Sequence, residues 1–358
     1  MVELFTQAAD LQQYDSWIRS HPDGTLWQSL EWKIYQEALG REVRIYVLCE
    51  GKQILASALV VIDRTTFGFS VWDIPRGPLQ DSGRRTKDLG ILLEFITKDA
   101  RHYGCISVYW SPSQHVPSPK SQVPSPSRRH EQPEATRIID LTKTEEDILK
   151  QMRPKGRYNI SIAEKHGVVV RESTDIDTFT RLTQETAIRD GFSPPPASQL
   201  QTILKTLPGA FLLLAYPPLH PPTPSSLGGR GAVVQAKNGS PPPPGEGLGE
   251  RGAIAGLLGI IWQNRAIYYY GASSYSFRAL MAPYLLQWKA MCLCRARGCT
   301  SYDLLGIAPA ESGEGHPWQG VSAFKEKFGG TVMTYPPEQE IILRPLMKTL
   351  LRWKRKLF

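Results

Sequence analysis

Residues 253–305 read AIAGLLGIIWQNRAIYYYGASSYSFRALMAPYLLQWKAMCLCRARGCTSYDLL, and their pattern gives the clearest indication of the fold. Two apolar runs flank the polar pair Gln263-Asn264, which is typical of antiparallel strands joined by a tight turn. Apolar residues then recur at helical spacing over 277–297, and the run 301–305 predicts a further strand. A hairpin, a helix and a strand in this order predict one α/β module.

The same order of elements occurs in the N-terminal half of the chain. Two strands are predicted on either side of the turn Gly51-Lys52, and a third over 69–74. A helix predicted over 86–103 precedes another strand over 105–110. The repeat predicts an α/β (α+β) fold in which two similar modules pack around a shared cleft.

The domain boundaries follow from this repeat. We place the first module in residues 1–140 and the second in 141–331, and we expect 332–358 to return to the first module. Two Pro-, Gly- and Ser-rich segments, 111–133 and 217–251, interrupt the modules. Because such segments bury too little apolar surface to offset their ordering entropy, both are predicted to be mobile insertions.

The composition is that of an ordinary globular protein. Of the 358 residues, 41% are hydrophobic and 21% charged, which argues against a disordered or fibrous chain. No apolar run approaches the roughly 18 residues that span a bilayer, and the N-terminal residues do not have the pattern of a secretory signal. Five cysteines, an odd number, point to reduced thiols. We therefore expect a cytoplasmic protein.

The positive charge is concentrated at the C-terminus. Lys and Arg exceed Asp and Glu by 42 to 34, a net charge of +8, and residues 344–358 contain six cations and no acid. Apolar residues alternate with these cations, so a helix here would have a basic and an apolar face. Such a helix rests on anionic lipid or on a nucleic-acid backbone, or it docks its apolar side on the protein core. The first alternative predicts peripheral contact with the cytoplasmic face of the membrane.

Two further segments present cations where an anion could bind. Arg76 follows a predicted strand, and a salt bridge with Asp73 is the alternative. In the sequence MRPKGRYNI, Lys155 and Arg157 precede a helix that is predicted to begin at Asn159. Free N–H groups at a helix start and a guanidinium both favour phosphate, and a solvated basic turn is the alternative.

Metal binding is not predicted. Cys292 and Cys294 lie two residues apart on a predicted helix and therefore face different directions, and Cys299 follows without a fourth ligand nearby.

Five motifs occur in a characteristic order along the chain. They are RYNI (157–160), AIRDGF (187–192), YYYGASS (268–274), YDLLGI (302–307) and VSAFKEKFGG (321–330). This ordered set resembles the Fem family of aminoacyltransferases (FemA, FemB and FemX), which extend the peptide bridge of bacterial peptidoglycan. The resemblance covers nearly the whole chain outside the two insertions.

The resemblance implies a pair of GNAT-like acyltransferase modules and an amide-forming transfer. An amino acid esterified to tRNA would pass to the stem-peptide amine of a peptidoglycan precursor, which is either nucleotide-linked or lipid-linked. Family members need no metal, no cofactor and no covalent enzyme intermediate. The protein positions both substrates and stabilises the oxyanion that forms at the ester carbonyl.

The same resemblance implies roles for individual residues. Lys325 in the Phe-Lys-x-x-Phe-Gly segment would stabilise the oxyanion, and Tyr270 matches the family's cleft tyrosine. Asp303 would orient the amine or accept its proton, or else cap the turn at Gly306. The expected substrate-binding residues are Arg157, Tyr158, Asn159, Arg189, Arg76, Lys33 and Phe324, where pairing with Asp190 is the alternative for Arg189. Lys327 is expected to be a surface charge.

One position departs from the family pattern. Studied members place a phosphate-binding lysine about four residues after the tryptophan of the first helix, and this chain has Gln36 there. Lys33 is the nearest cation, and whether it substitutes is open.

Two other functions remain open. An acyl-CoA N-acyltransferase would share the module but needs a Gln/Arg-x-x-Gly-x-Gly/Ala turn before a helix. The nearest match begins at Arg251, has Ile254 where that glycine belongs, and leads into a strand. A module that binds tRNA or precursor without catalysis is the third function class.

Overall fold

The computed structural model describes residues 1–65, 68–81, 87–113, 124–127, 129, 131–218, 252–313, 316 and 318–357. Two mixed β-sheets form its framework. The order of the first sheet is β1-β2-β3-β4-β6-β15-β7, with β5 paired to β3. Its strands are β1 (Val2–Leu4), β2 (Glu42–Glu50), β3 (Gln53–Arg64), β4 (Ser70–Ile74), β5 (Leu79–Gln80), β6 (Cys105–Trp110), β7 (Ser125–Pro126) and β15 (Gln339–Ile342).

The second sheet has the order β14-β8-β13-β12-β11-β10-β9. Its strands are β8 (Ala135–Asp140), β9 (Val169–Ser173), β10 (Ala210–Tyr216), β11 (Ala255–Trp262), β12 (Arg265–Ser273), β13 (Ser301–Gly306) and β14 (Thr331–Thr334). The parallel pairing of β12 with β13 covers only residues 265–267 and 301–303. The remainder of β12 and the end of β13 therefore line an opening in the sheet.

Ten α-helices cover the two sheets in the described part of the chain. They are α1 (Ala8–Ser20), α2 (Leu30–Ala38), α3 (Lys87–His102), α4 (Glu145–Gln151), α5 (Pro154–Lys165), α6 (Ile176–Asp190), α7 (Ala197–Thr206), α8 (Ala282–Ala296), α9 (Gln319–Lys325) and α10 (Pro345–Leu357). Short 3₁₀ turns occupy Leu26–Gln28, Tyr275–Leu280 and Glu326–Phe328.

The buried apolar side chains form three cores. One lies between the first sheet and α3, and one between the second sheet and α5 with α8. The third lies between the sheets and contains α1 and α2 of the first module together with α6 and α7 of the second. The two modules therefore share one apolar core, which fixes their relative position.

Several elements agree with the sequence predictions. The antiparallel pair β2–β3 turns at Gly51-Lys52, where Gly51 has a φ of 59°, and α3 lies within one residue of the predicted helix at each end. The predicted fold class, two α/β modules, is confirmed. The predicted start of α5 at Asn159 is wrong, because the helix begins at Pro154, whose fixed φ suits the first turn.

Sheet membership differs from the proposed boundaries at two strands. The strand β8 ends at Asp140 but pairs with β13 and β14 in the second sheet. The strand β14 begins at Thr331 and also belongs to the second sheet, and β15 then pairs with β6 in the first sheet. We therefore propose a module boundary before Ala135 and a return to the first module after Thr334.

The two predicted insertions have different outcomes. Residues 219–251 of the second lie outside the described residues. In the first, Ser125 and Pro126 pair with β15, and Arg129 forms ion pairs with Asp73 at 2.6 Å and Glu338 at 3.0 Å. This part of residues 111–133 is packed on the first sheet, so the prediction of a mobile loop does not hold for it. Burial raises the pKa of Asp73 to about 6, although the charge of Arg129 opposes that shift.

The C-terminal helix α10 follows β15 and carries the basic tail. Lys348 is buried and forms an ion pair with Glu340, whereas Leu346 and Leu350 are exposed. Among the helices that the structure describes, none combines the length and the hydropathy that crossing a membrane requires.

Candidate active site

Lys325 lies at the end of α9, beside the opening between β12 and β13. Its side chain is 5% exposed, and Nζ donates a hydrogen bond of 2.6 Å to the carbonyl of Gly306, the last residue of β13. The ammonium also lies 5.7 Å from the ring centroid of Tyr268 on β12. The lysine therefore sits between the two strands and faces the interior.

Aromatic packing fixes the helix that carries Lys325. Phe324 and Phe328 have ring centroids 5.1 Å apart, and Tyr284 of α8 packs against both at 5.1 and 5.8 Å. Lys327 points elsewhere, because its Nζ donates to the Tyr284 hydroxyl at 2.9 Å. Phe324, predicted to bind substrate, is thus engaged in packing, and the two lysines of this segment have different environments.

Close backbone contact with the start of α5 sets the position of the turn after Lys325. The amide of Arg153 donates to the Lys327 carbonyl at 3.0 Å. A Cβ on Gly156 would overlap that same carbonyl, and a Cβ on Gly329 would overlap the Gln151 carbonyl. The segment that contains Gly156 therefore holds the turn that follows α9.

Asp303 lies on β13, three residues before Gly306. Its Oδ1 accepts hydrogen bonds from the Thr136 hydroxyl and, at 2.7 Å, from the Leu305 amide. Burial raises its pKa, while these hydrogen bonds and the charges of Arg76 and Lys325 act in the opposite direction.

The charge of Lys325 is poorly solvated. Burial lowers the pKa of its ammonium from 10.5 to about 8, and the negative charge of Asp303 opposes that shift. A lysine with such a pKa stays protonated at neutral pH, and its ammonium is dehydrated enough to interact strongly with an anion.

Aromatic residues of both modules line the approach along β12. Tyr269 lies 6.5 Å from Trp32 of α2 and 4.9 Å from Tyr270, measured between ring centroids. Burial raises the pKa of Tyr270 to about 12, so its hydroxyl remains protonated at neutral pH. Tyr270, a predicted site residue, therefore lies where α2 meets the second sheet.

Arg76 is not available to a substrate anion. The side chain is 3% exposed, Nη2 donates to the Pro133 carbonyl at 2.7 Å, and the guanidinium lies 3.8 Å from the ring centroid of Tyr335. The alternative of a salt bridge with Asp73 is also wrong, because Asp73 pairs with Arg129. Both errors arise because the burial of Arg76 and the pairing of Asp73 depend on contacts that are distant in sequence.

Comparison with known proteins identifies the family. The model of the FemAB family matches residues 10–132, 125–206 and 246–353. The chain belongs to the FemAB family. The resemblance noted from the five motifs is thereby confirmed.

Individual proteins agree with this assignment. The lipid II:glycine glycyltransferase of Staphylococcus epidermidis is 22% identical over 89% of this chain and 88% of its own length. The enzyme of the same name from Staphylococcus saprophyticus is 24% identical over 55% of this chain and 51% of its own length. The crystal structure of FemX has a TM-score of 0.74 at 19% identity, covering 97% of this chain and 99% of that one. A tandem GNAT protein from the clavulanic acid pathway has a TM-score of 0.52 at 13% identity over 96% and 99%, which confirms the pair of GNAT-like modules.

The departure from the FemAB pattern at Gln36 has a local explanation. Gln36 is buried, and its Oε1 accepts a 2.6 Å hydrogen bond from Nη1 of Arg41. Lys33 is engaged with Glu37 at 2.5 Å. Arg41 is exposed and adds positive charge near Tyr269. The sequence did not single out Arg41 as a binding residue, because Arg41 lies beyond the end of α2, after Gly40.

In the RYNI motif of this FemAB chain, Arg157 contacts the backbone at the end of α4. Nη1 of Arg157 donates to the carbonyls of Met152 and, at 3.3 Å, of Lys150, so it caps the end of α4. Asn159 is buried, and Tyr158 is 65% exposed.

Arg189 adopts the alternative foreseen from the sequence. It pairs with Asp190 at 2.7 Å and also donates to the Ser273 carbonyl at 2.9 Å, at the end of β12. Its guanidinium therefore links α6 to the strand that lines the site.

The described segment between β12 and α8 does not have the glycine-rich turn that an acyl-CoA pyrophosphate needs. The helix that follows β12 is α8, and residues 275–281 before it contain no glycine. Pro283 in the first turn of α8 has no N–H to donate.

A groove of about 1050 Å³ lies at the opposite end of the second sheet, and its lining includes Glu172, Lys205 and Arg297 but none of the predicted site residues. Within the described residues, no group of three or more His, Cys, Asp or Glu could hold a metal ion.

Proposed function

We propose that this protein is an aminoacyltransferase that passes an amino acid from aminoacyl-tRNA to the stem-peptide amine of a lipid-linked peptidoglycan precursor. The acyltransferase class follows from membership of the FemAB family. The relatives named lipid II:glycine glycyltransferases favour a lipid-linked acceptor over a nucleotide-linked one. The observation that carries the chemistry is the buried ammonium of Lys325 at the opening between β12 and β13.

Lys325 is suited to stabilise the oxyanion of this transfer. When the amine attacks the ester carbonyl, negative charge collects on the carbonyl oxygen before the tRNA ribose leaves. An ammonium has three N–H donors, and the Gly306 carbonyl accepts from one of them. The others can face a reacting oxygen in a site from which most water is excluded, where a charged donor is worth more than in water.

Asp303 and Tyr270 complete the proposed chemistry. The raised pKa of Asp303 makes its carboxylate a better proton acceptor than an exposed aspartate. It can take the proton that the attacking nitrogen loses after the C–N bond forms and return it to the ribose oxygen as the C–O bond breaks. Tyr270 retains its hydroxyl proton at neutral pH, and it would hydrogen-bond to a substrate carbonyl.

The diphosphate of the acceptor would bind at Arg41. Arg41 is the exposed cation that donates a hydrogen bond to Gln36, whereas Lys33 forms an ion pair with Glu37. A guanidinium matches phosphate geometry with two parallel hydrogen bonds, so it can replace a lysine at this place.

The proposed location is the cytoplasm, with peripheral contact at the membrane that holds the acceptor. The exposed Leu346 and Leu350 lie on α10, in a segment whose sequence is rich in Lys and Arg. Such a helix can bind an anionic lipid surface through both its charge and its apolar side chains.

A product-mass experiment tests the proposed function. The purified protein is incubated with a mixture of aminoacyl-tRNAs and with either lipid-linked or nucleotide-linked precursor, and the products are read by mass spectrometry. We expect a gain of one or more aminoacyl residues on the lipid-linked precursor. Absence of that gain, together with acylation of an amine when acetyl-CoA is supplied, would overturn the proposal.

A further inference from the structure

Arg76 occupies an unusual place for a buried cation. It lies in the turn between β4 and β5 and has a φ of 51°, a conformation that residues other than glycine rarely adopt. Gln28 holds this turn, because its Nε2 donates to the Pro75 carbonyl at 2.7 Å while its Oε1 accepts from the Leu59 amide at 2.8 Å. A strained backbone position and a buried amide of the first module therefore direct the Arg76 guanidinium toward the second module.

A short chain of contacts leads from this guanidinium to Lys325. Nη2 of Arg76 holds the Pro133 carbonyl at 2.7 Å. The Cβ of Pro133 lies only 3.1 Å from where a Cβ on Gly306 would stand, so the two residues are in close contact. The carbonyl of Gly306 in turn accepts the hydrogen bond from Lys325. A shift of Arg76 would therefore reach the acceptor that holds the catalytic ammonium.

Charge links the same residues. The positive charges of Arg76 and Lys325 both lower the pKa of Asp303. The negative charge of Asp303 in turn raises the pKa of two other groups, the hydroxyls of Tyr302 and Tyr335. Both tyrosine hydroxyls have a raised pKa because of burial and stay neutral. The ionic balance at Asp303 therefore depends on one cation from each module.

We propose that Arg76 is a positioning residue of the transfer site: its hydrogen bond to Pro133 keeps the Gly306 carbonyl in place for Lys325, and its guanidinium supports the buried carboxylate of Asp303. The site would then be complete only when the first module is docked on the second. The inference rests on the proposed function for the role of Lys325, and on the contacts above for the role of Arg76.

The test compares three variants of the full chain. Arg76→Gln removes the charge, Arg76→Lys keeps it, and Arg265→Gln is the matched control. Arg265 joins the modules through the carbonyls of Pro22 and Gly24 and lies at the start of β12. Two properties are measured: the pH dependence of kcat for transfer, and the titration of Asp303 by NMR in protein with ¹³C-labelled aspartate carboxyls.

We expect Arg76→Gln to shift the Asp303 titration and the acidic limb of kcat upward by about one pH unit, the usual size for loss of a nearby opposite charge. On that acidic limb kcat should fall about tenfold, because a shift of one unit changes the ionised fraction of Asp303 tenfold there, and KM should change little. Arg76→Lys should restore most of both properties, and Arg265→Gln should resemble the wild type. An Arg76→Gln protein that folds and keeps both titrations in place would overturn the inference.

A second variant covers the case in which Arg76→Gln does not fold. Tyr335 is partly exposed and stacks on the Arg76 guanidinium, so Tyr335→Leu should loosen the arginine and shift Asp303 in the same direction by a smaller amount. An unchanged titration in Tyr335→Leu would then contradict the inference. The Asp303 titration needs no substrate, so failure of wild-type transfer would overturn the proposed function without altering this result.

Discussion

At the scale of single residues, the side chain of Lys325 has two properties that surface lysines lack. It is buried beside a strand end, and its ammonium is held by one backbone carbonyl rather than by a carboxylate contact. Lys327, two residues away, contacts a tyrosine hydroxyl instead. The family motif in the sequence was enough to single out Lys325, although the sequence alone did not separate the environments of the two lysines.

The pKa of Lys325 predicts an alkaline limb in the rate of transfer. Burial lowers this pKa to about 8, so the ammonium loses its proton as pH rises through that value and the oxyanion loses its charged donor. We expect kcat to fall between pH 7 and pH 9, with the midpoint near 8. Stopped assays at fixed ionic strength measure this limb, and a rate that stays constant up to pH 10 would show that the lysine charge is not used.

Arg41 is predicted to take the place of the missing lysine at Gln36. Arg41→Ala should raise KM for the lipid-linked acceptor about tenfold with kcat nearly unchanged, because the variant loses a charge-assisted contact made equally in the ground and transition states. Lys33→Ala is the matched control and should leave KM within about twofold, since Lys33 is paired with Glu37 on an exposed helix face. Equal effects of the two substitutions would contradict the assignment.

Other residues could not be placed from the sequence. Arg76 and Arg157 were expected to bind substrate as cations near a strand end and a helix start, and Arg189 was expected to do so from the family resemblance. The structure engages each with backbone carbonyls, and Arg189 also with Asp190. The partners of Arg76 and Arg189 lie 57 and 84 positions away along the chain, so a local motif carries no information about these contacts.

At the scale of elements, the start of α5 and the turn after α9 hold each other in place. Gly156 and Gly329 allow the two backbones to touch, as the overlap of a Cβ at either position shows. The sequence around Gly156 was interpreted as a basic turn before a helix. Pro154 in fact begins the helix, so Gly156 lies inside α5 and packs against the Lys327 carbonyl.

Gly156→Ala is therefore predicted to separate the two elements. The added methyl should lower the free energy of unfolding by about 1–3 kcal/mol, the usual cost of overpacking, and should reduce kcat because α9 carries Lys325. Denaturant titration and transfer assays measure both effects.

Gly320 supplies the control for this prediction. It lies in α9 with no neighbouring atom near the position of an added Cβ. Gly320→Ala should be neutral or stabilising by up to about 1 kcal/mol, since alanine favours a helix over glycine. If Gly156→Ala were as stable and active as Gly320→Ala, close packing of α5 would not support the site.

The hairpins were the elements that the sequence predicted best. Alternation of strand residues about a short polar turn is a local signal, and it gave β2, β3, β11 and β12 nearly as the structure has them. The sheet membership of β8 and β14 could not be predicted in this way, because β8 pairs with β13 and β14, which lie far away along the chain.

At the scale of the whole molecule, the two modules share the core between the sheets. Leu200 and Ile203 of α7 are fully buried there together with Tyr14 and Tyr35 of the first module. The chain also passes from the first sheet to the second and back through β15. A protein built in this way should unfold as one cooperative unit.

Leu200→Ala is predicted to destabilise both modules together. The cavity should lower the free energy of unfolding by about 2–5 kcal/mol, and the unfolding curve should keep a single transition when followed by tryptophan fluorescence and by circular dichroism. Leu346→Ala, at a 79% exposed position of α10, is the control and should change stability by less than about 0.5 kcal/mol. Two separate transitions in Leu200→Ala would mean that the modules fold independently.

The most direct test of the central claim compares Lys325→Met with Lys327→Met in single-turnover transfer from aminoacyl-tRNA to the lipid-linked precursor at pH 7. Loss of an oxyanion donor should slow Lys325→Met by about 10²-fold or more with the fold intact, while Lys327→Met should retain a rate close to that of the wild type. A Lys325→Met protein that transfers at a near-normal rate would contradict the claim that this ammonium stabilises the transition state.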